Sequence, residues 1–199
     1  MADSDLIHDF WFGTEPDDAR VAEMQGRLWW SKDPGIDQQM RERFGPDAES
    51  GGGGGVGGWG GTPRTAGSPL PLADQFPRNI HRDTPRAFQS DAIALAVCLA
   101  GLEQGSDMAL RPIERVFFRM PLEHSESLAH QDLSVRLSRE LYGSVPAAWQ
   151  AAFEGFLDFA VRHREIIARF GRFPHRNAIL GRSSTPEELA FLRQPGSSF

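Results

Sequence analysis

Apolar residues recur along this chain at intervals of three and four positions, the period of a helix with one buried face. Leu6, Ile7, Phe10 and Trp11 predict a first helix capped by Asp3 or Ser4 and closed by Gly13. Glu15-Pro16 opens a second running to Trp29-Trp30, and Asp37–Phe44 reads as a third, stopped by Gly45-Pro46. Thr84-Pro85 starts a longer helix reaching Glu103, with Phe88, Ala92, Leu95, Ala96, Leu99 and Leu102 as its stripe. Pro112 begins a short helix that turns Ile113, Val116 and Phe117 inward. Pro121 is expected to break it, so that a new helix carries Leu122 through Leu141 to Gly143. Pro146 opens another, with Trp149, Phe153, Phe156, Phe159, Ile166 and Ile167 apolar and Gly171 at its end. Thr185-Pro186-Glu187-Glu188 has the spacing of a capping box at the start of the last helix. No segment reads as a strand. The prediction is a single all-α domain spanning residues 1–199, a helical array of about seven to nine helices with short connections.

Two stretches interrupt this pattern. Residues 51–61 are nine glycines broken only by Val56 and Trp59. Polyglycine has a high ordering entropy, so a flexible loop is expected over 47–62. Its G-x-G-x-x-G spacing follows no strand and precedes no Gly-Lys-Ser/Thr, so it is not read as a nucleotide cradle. Pro69 and Pro71 then punctuate an apolar run at 63–75, where they are expected to kink or break a helix.

One phrase occurs twice. Phe76-Pro77-Arg78-Asn79-Ile80-His81-Arg82-Asp83-Thr84-Pro85 is echoed by Phe173-Pro174-His175-Arg176-Asn177-Ala178-Ile179-Leu180-Gly181-Arg182-Ser183-Ser184-Thr185-Pro186. Each copy runs Phe-Pro, Arg-Asn, Ile, Arg, Thr-Pro. Two arginine-rich elbows of related chemistry are expected, meeting in one core through Phe76 and Phe173.

Composition narrows the class. Hydrophobic content of 40% and charged content of 24% are those of an ordinary globule, and 199 residues can bury one sizeable core. The net charge of −6 argues against nucleic acid as a partner. No apolar run approaches about 18 residues, so no membrane span is predicted, and the expected compartment is the cytoplasm. Cys98, the single cysteine, sits in an apolar helical run and reads as a buried, inert thiol. Twenty of the 21 basic residues are arginine, Lys32 being the exception.

Four phrases occur in order: Asp74-Gln75-Phe76-Pro77-Arg78-Asn79, Thr84-Pro85-Arg86-Ala87-Phe88, Met120-Pro121-Leu122-Glu123-His124-Ser125-Glu126 and Arg169-Phe170-Gly171-Arg172-Phe173-Pro174-His175-Arg176-Asn177. With Phe10-Trp11-Phe12-Gly13 and Leu180-Gly181-Arg182 they resemble the bacterial family known as domain of unknown function 924, over nearly the whole chain. The resemblance implies an α-helical array of tetratricopeptide-like, α–α superhelix character, and no reaction. A leucine-rich helical segment usual in that family before Asp74 is replaced here by glycines and by Pro69 and Pro71.

The elbows concentrate the candidate chemistry. Arg78, Asn79, Arg82, Arg172, Arg176, Asn177 and Arg182 are the candidate ligand-binding residues, since guanidinium forks and helix N-termini suit phosphate or carboxylate. Residues 162–182 hold six arginines against one acid, Glu165, a local positive island. The bland alternative is that these arginines tie loops to Asp74, Asp83, Glu123 and Glu126. The second constellation is Glu123-His124-Ser125-Glu126 with His130. If helical, Glu123, Glu126 and His130 share one face. His124, Glu123 and His175 are the candidate catalytic residues, as proton shuttles tunable near neutrality. The spacing lacks the Glu-x-x-His of helical di-metal sites, so neither a metal nor a cofactor is assigned. His163 reads as a satisfied helix histidine.

The leading function is binding of a small anionic molecule or an acidic peptide end in a cleft where both elbows meet the Glu123–Glu126 segment. The rival is a hydrolase or transferase acting on a phosphate- or carboxylate-bearing substrate. A third reading is a tetratricopeptide-like interaction scaffold. The sequence leaves oligomeric state open.

Overall fold

The structure, a computed structural model, describes residues 4–49 and 69–198. Among these residues every regular element is a helix. The helices are α1 (Ser4–Phe12), α2 (Asp18–Trp30), α3 (Pro34–Glu49), α4 (Pro69–Asp74), α5 (Phe76–Ile80), α6 (Asp91–Glu103), α7 (Pro112–His124), α8 (Leu128–Ser144), α9 (Gln150–Phe170) and α10 (Pro186–Leu192). Short 3₁₀ turns lie at Pro85–Phe88, Ser106–Ala109, Ala147–Trp149 and Pro174–Arg176. No described helix is long and apolar enough to cross a membrane.

Helix α7 is the axis of the domain. It is buried almost all round, Ile113 and Phe117 facing one core and Phe118 and Leu122 another. The first core is aromatic: Trp11, Phe12, Trp29, Phe76 and Phe117 interlock, with Trp29 Nε1 donating to Trp11 O at 2.9 Å. The second joins α4, α6, α7 and α8 through Leu70, Ala94, Cys98, Phe118, Leu122 and Leu137. The close approach of α6 to α7 requires Gly101, where a Cβ would clash with the tip of the Phe118 ring. Helices α8 and α9 form a hairpin beside them. A third, smaller cluster holds Ile166, Ile167 and Phe173.

Several helix boundaries differ from the sequence expectation, each for a packing reason. Helix α2 starts at Asp18, because Asp17 caps it by accepting from Ala19 N and Arg20 N, both at 3.0 Å. Helix α3 continues through Gly45-Pro46, since Met40, Phe44 and Ala48 form one buried stripe across the proline. Residues 47–49 of the loop expected over 47–62 are therefore helical, and the remainder of that segment lies outside the described residues. Pro69 and Pro71 do not break α4: both sit in its first turn, where a missing N–H costs no helical bond. Residues 63–68 also lie outside the described set. The helix expected from Pro85 to Glu103 is two pieces, a 3₁₀ turn and α6, and α6 buries Ala94 and Cys98 while Ala92 and Ala96 are exposed. Leu6 is likewise exposed on α1.

Pro121 lies inside α7. The helix ends at His124 instead, where the buried Gln131 amide donates to the carbonyls of Glu123 (2.6 Å) and Ser125 (2.8 Å). Glu123 closes α7, Glu126 lies in the link and His130 is in α8, so these three do not share a helical face.

Candidate functional site

Both elbows open onto one cleft of about 470 Å³. The first is α5, whose Phe76 is fully buried and whose C-terminal stretch is tied to α3: Asp37 accepts from Asn79 Nδ2 at 3.1 Å and from Arg82 Nε and Nη2 at 2.7 Å each. The second follows Gly171, whose left-handed backbone (φ +67°) ends α9. Phe173, also fully buried, then anchors the 3₁₀ turn that carries His175 and Arg176.

Arg78 and Arg176 converge from these elbows. Arg78 Nη2 donates to Asp91 Oδ1 at 2.9 Å and Arg176 Nη1 reaches Asp91 Oδ2 at 3.4 Å. Both guanidiniums lie over the Phe88 ring, at 5.4 and 4.8 Å from its centroid. The break between Phe88 and Asp91 makes this junction, because it presents an aromatic face and a carboxylate to two arginines at once. Arg176 is further held by His124 O at 3.0 Å and by the Phe173 ring at 4.5 Å. Arg78 Nη1 and Arg176 Nη2 have no acceptor among the described residues.

Asp74 and His124 form the polar floor. Asp74, 1% exposed, lies 2.7 Å (Oδ1) from His124 Nδ1 and also accepts from Arg78 and Gln75. Burial pushes the Asp74 carboxyl up, but the charges of His124 and Arg78 outweigh it and hold the group below the usual carboxylate range. Burial, then Arg78, lowers His124 against the pull of Asp74. Neighbouring Glu123, buried and 3.9 Å from His163 Nδ1, is pushed up to about 8 by burial and by Asp74. Burial followed by the cations around them brings His163 and His175 down to about 3. Burial and Arg78 bring Arg176 down to about 10. At neutral pH the floor thus holds two guanidiniums, one ionised aspartate beside an oriented imidazole, and a protonated glutamate.

Of the residues singled out from sequence, Arg78, Asn79, Arg82, Glu123, His124, His175 and Arg176 line the cleft. Arg172, Asn177 and Arg182 do not. Arg172 forks onto Glu188 at 2.7 and 2.8 Å, Asn177 bonds Ser184 and Glu188, and Arg182 forks onto Glu126 at 2.7 and 2.9 Å. The positive island at 162–182 is neutralised in the fold. Its arginines meet Asp158, Asp132, Glu187, Glu188, Asp91 and Glu126 in turn, all outside that stretch. His163, read as a satisfied helix histidine, does bond Phe159 O at 2.8 Å, and it also lines the cleft. Among the described residues no three His, Cys, Asp or Glu side chains converge to hold a metal ion.

Three parts of the site escaped the sequence reading. In the sequence Asp74 reads only as an arginine's partner, with Arg78 at i+4, whereas in the fold it is a corner of the cluster with His124 and Gln75. Asp91 and Phe88, three residues apart, are the shared platform, and their spacing is visible only once both elbows are known to meet there. The Trp30 and Phe159 rings, nearly parallel at 9° with centroids 6.3 Å apart, edge the cleft although both are about half exposed.

Comparison with known proteins follows the same boundaries. The family model described as a bacterial protein of unknown function (DUF924) matches residues 7–196. The chain is similar to a solved structure, a protein of unknown function, ATU0120, from Agrobacterium tumefaciens. The two are 31% identical, the match covers 89% of this chain and 99% of that one, and the TM-score is 0.72. No curated protein matches the chain.

Proposed function

We propose that this chain, which belongs to the DUF924 family of bacterial proteins of unknown function, binds a small organic anion or an acidic peptide end in the cleft between its elbows. The observation that carries this reading is the convergence of Arg78 and Arg176 on one aspartate and one phenyl face, each with a nitrogen that has no acceptor among the described residues. Two guanidiniums sharing Asp91 repel one another, which is why Arg78 depresses Arg176, and an anion between them relieves that repulsion. The cleft's size is that of small-molecule sites, and its lining mixes charged and polar side chains with aromatic ones.

The test is a thermal-shift screen with acetate, inorganic phosphate and short acidic peptides. A ligand at about 100 times its Kd adds roughly 2.7 kcal/mol, or about 5–10 °C for a chain of this size. Arg78→Lys keeps the charge and loses the fork, so it should reduce that shift. If no anion moves the melting temperature of the wild-type protein, the reading fails.

A second reading is catalytic, and the Asp74–His124 contact favours it. A proton on Nδ1 donated to Asp74 makes Nε2 the basic nitrogen, able to take a proton from water or a hydroxyl in the cleft. This suits a hydrolase or transferase acting on a phosphate- or carboxylate-bearing substrate, with protonated Glu123 as a proton donor. His175, held near 3, is too weak a base for that role at neutral pH. His124→Gln should then abolish turnover while ligand binding persists. Loss of binding and turnover together would leave His124 a structural tie.

A further inference from the structure

The cleft carries charge and aromatic surface side by side. Arg78 and Arg176, with Asp74 behind Arg78, supply the charge, while Trp30, Phe156, Phe159 and Met120 add apolar surface among further polar groups that include Lys32, Arg82 and His163. Trp30 and Phe159 are 52% and 45% exposed, an unusual outlay of aromatic surface to water. A second hollow of about 320 Å³ shares Trp30, Phe156 and Phe159 as its wall and is otherwise lined mainly by Ala19, Ala22 and Ala152. The apolar surface therefore continues past the aromatic pair, away from the charged floor.

Charge and volume limit the ligand further. The two arginines already face Asp74 and Asp91, so the floor can accept one negative charge more readily than two. A phosphate dianion would bring its second charge against those carboxylates. A cleft of about 470 Å³ has room for roughly fifteen groups the size of a water, at ~30 Å³ each. A bare acetate or phosphate would leave most of that space, and the aromatic wall, wet.

Building on the anion reading above, we infer that the ligand is a monocarboxylate with an apolar body, an alkyl or aryl acid of roughly ten to fifteen non-hydrogen atoms. Its carboxylate sits on Arg78 and Arg176, and its body lies along Trp30 and Phe159. Recognition is divided: the floor reads one charge, and the wall reads length. Each added methylene should tighten binding about three- to fourfold until the cleft is filled.

The experiment titrates the intact chain with butanoate, hexanoate, octanoate and 3-phenylpropanoate by calorimetry, with 1-octanol and octyl phosphate as controls. The expected result is a rise in affinity of about tenfold or more for each pair of methylenes, with octanoate tighter than octyl phosphate and 1-octanol not bound. Trp30→Ala and Phe159→Ala remove half-exposed rings, so they should leave the melting temperature within a few degrees. Each should flatten the length dependence. Equal affinity for butanoate and octanoate overturns the apolar-body inference and leaves the anion reading standing. Octyl phosphate binding tenfold tighter than octanoate overturns the monocarboxylate assignment alone. Binding of 1-octanol as tight as that of octanoate, or no binding by any of the four acids, overturns this inference; the anion reading falls with it only if octyl phosphate also fails to bind more tightly than 1-octanol.

Discussion

Glutamine at position 123 would separate a buried proton from a buried charge. Glu123 is 6% exposed, and burial together with Asp74 moves its carboxyl from an ordinary 4.5 up to about 8. At neutral pH the folded protein holds a proton there that the unfolded chain has released. A raised folded pKa stabilises fully below the unfolded value, and that contribution is lost as pH climbs toward 8. Within this window the unfolded state binds one proton fewer, so stability falls by up to about 1.4 kcal/mol per pH unit. His163 and His175 act in the opposite sense at lower pH. Held near 3 in the fold, they add stability as pH rises through 6.5, with about 0.3 kcal/mol of that gain left between pH 7 and 8. Over that unit Glu123 contributes the larger change, a loss of roughly 1 kcal/mol, and sets the sign of the slope. Glu123→Gln keeps the shape and carries no titrating proton, so its stability should no longer fall across that unit. Urea unfolding followed by tryptophan fluorescence, at half-unit steps from pH 6.5 to 8, measures both curves. Equal slopes for the two proteins between pH 7 and 8 would mean that Glu123 is ionised in the fold, and the account of the cleft floor would be wrong.

Other perturbations probe the frame around the cleft. Phe173→Ala empties a fully buried position beside His163, His175 and Arg176, and calorimetry should show a loss of roughly 3–5 kcal/mol; a loss below about 1 would mean the second elbow is not anchored there. Gly101→Ala gains about 1 kcal/mol of helix propensity but forces a methyl against Phe118, so a net loss of up to about 2 kcal/mol is expected, relieved by Phe118→Leu. Arg172→Ala breaks the fork to Glu188 and should loosen α10 to proteolysis, while anion affinity stays unchanged because the side chain is outside the cleft. The Cys98 thiol, buried and pushed up to about 12, should react with a thiol reagent at pH 8 only as fast as the protein opens; rapid labelling of all molecules would contradict its place in the core.

The sequence by itself determined the helical class, because apolar spacing of three and four is a local property that survives any packing. It also determined the two elbows, since Phe-Pro followed by Arg-Asn is legible wherever it occurs, and Gly171 and the Thr185 capping box place helix ends through bonds between near neighbours. Prolines misled where tertiary burial outweighed a local penalty. Pro46 costs α3 a backbone bond and a steric clash, about 3 kcal/mol or more, and the buried Met40–Phe44–Ala48 stripe offsets it. Pro121 is overridden in the same way, and α7 ends where Gln131, from the next helix, takes its carbonyls. Which arginines tie and which face the cleft could not be read along the chain, because a guanidinium's role depends on the carboxylate opposite it. Arg172 and Arg182 find Glu188 and Glu126 at fork distance and are spent on structure. Arg78 and Arg176 meet at Asp91, a junction created only when distant elbows fold onto one platform.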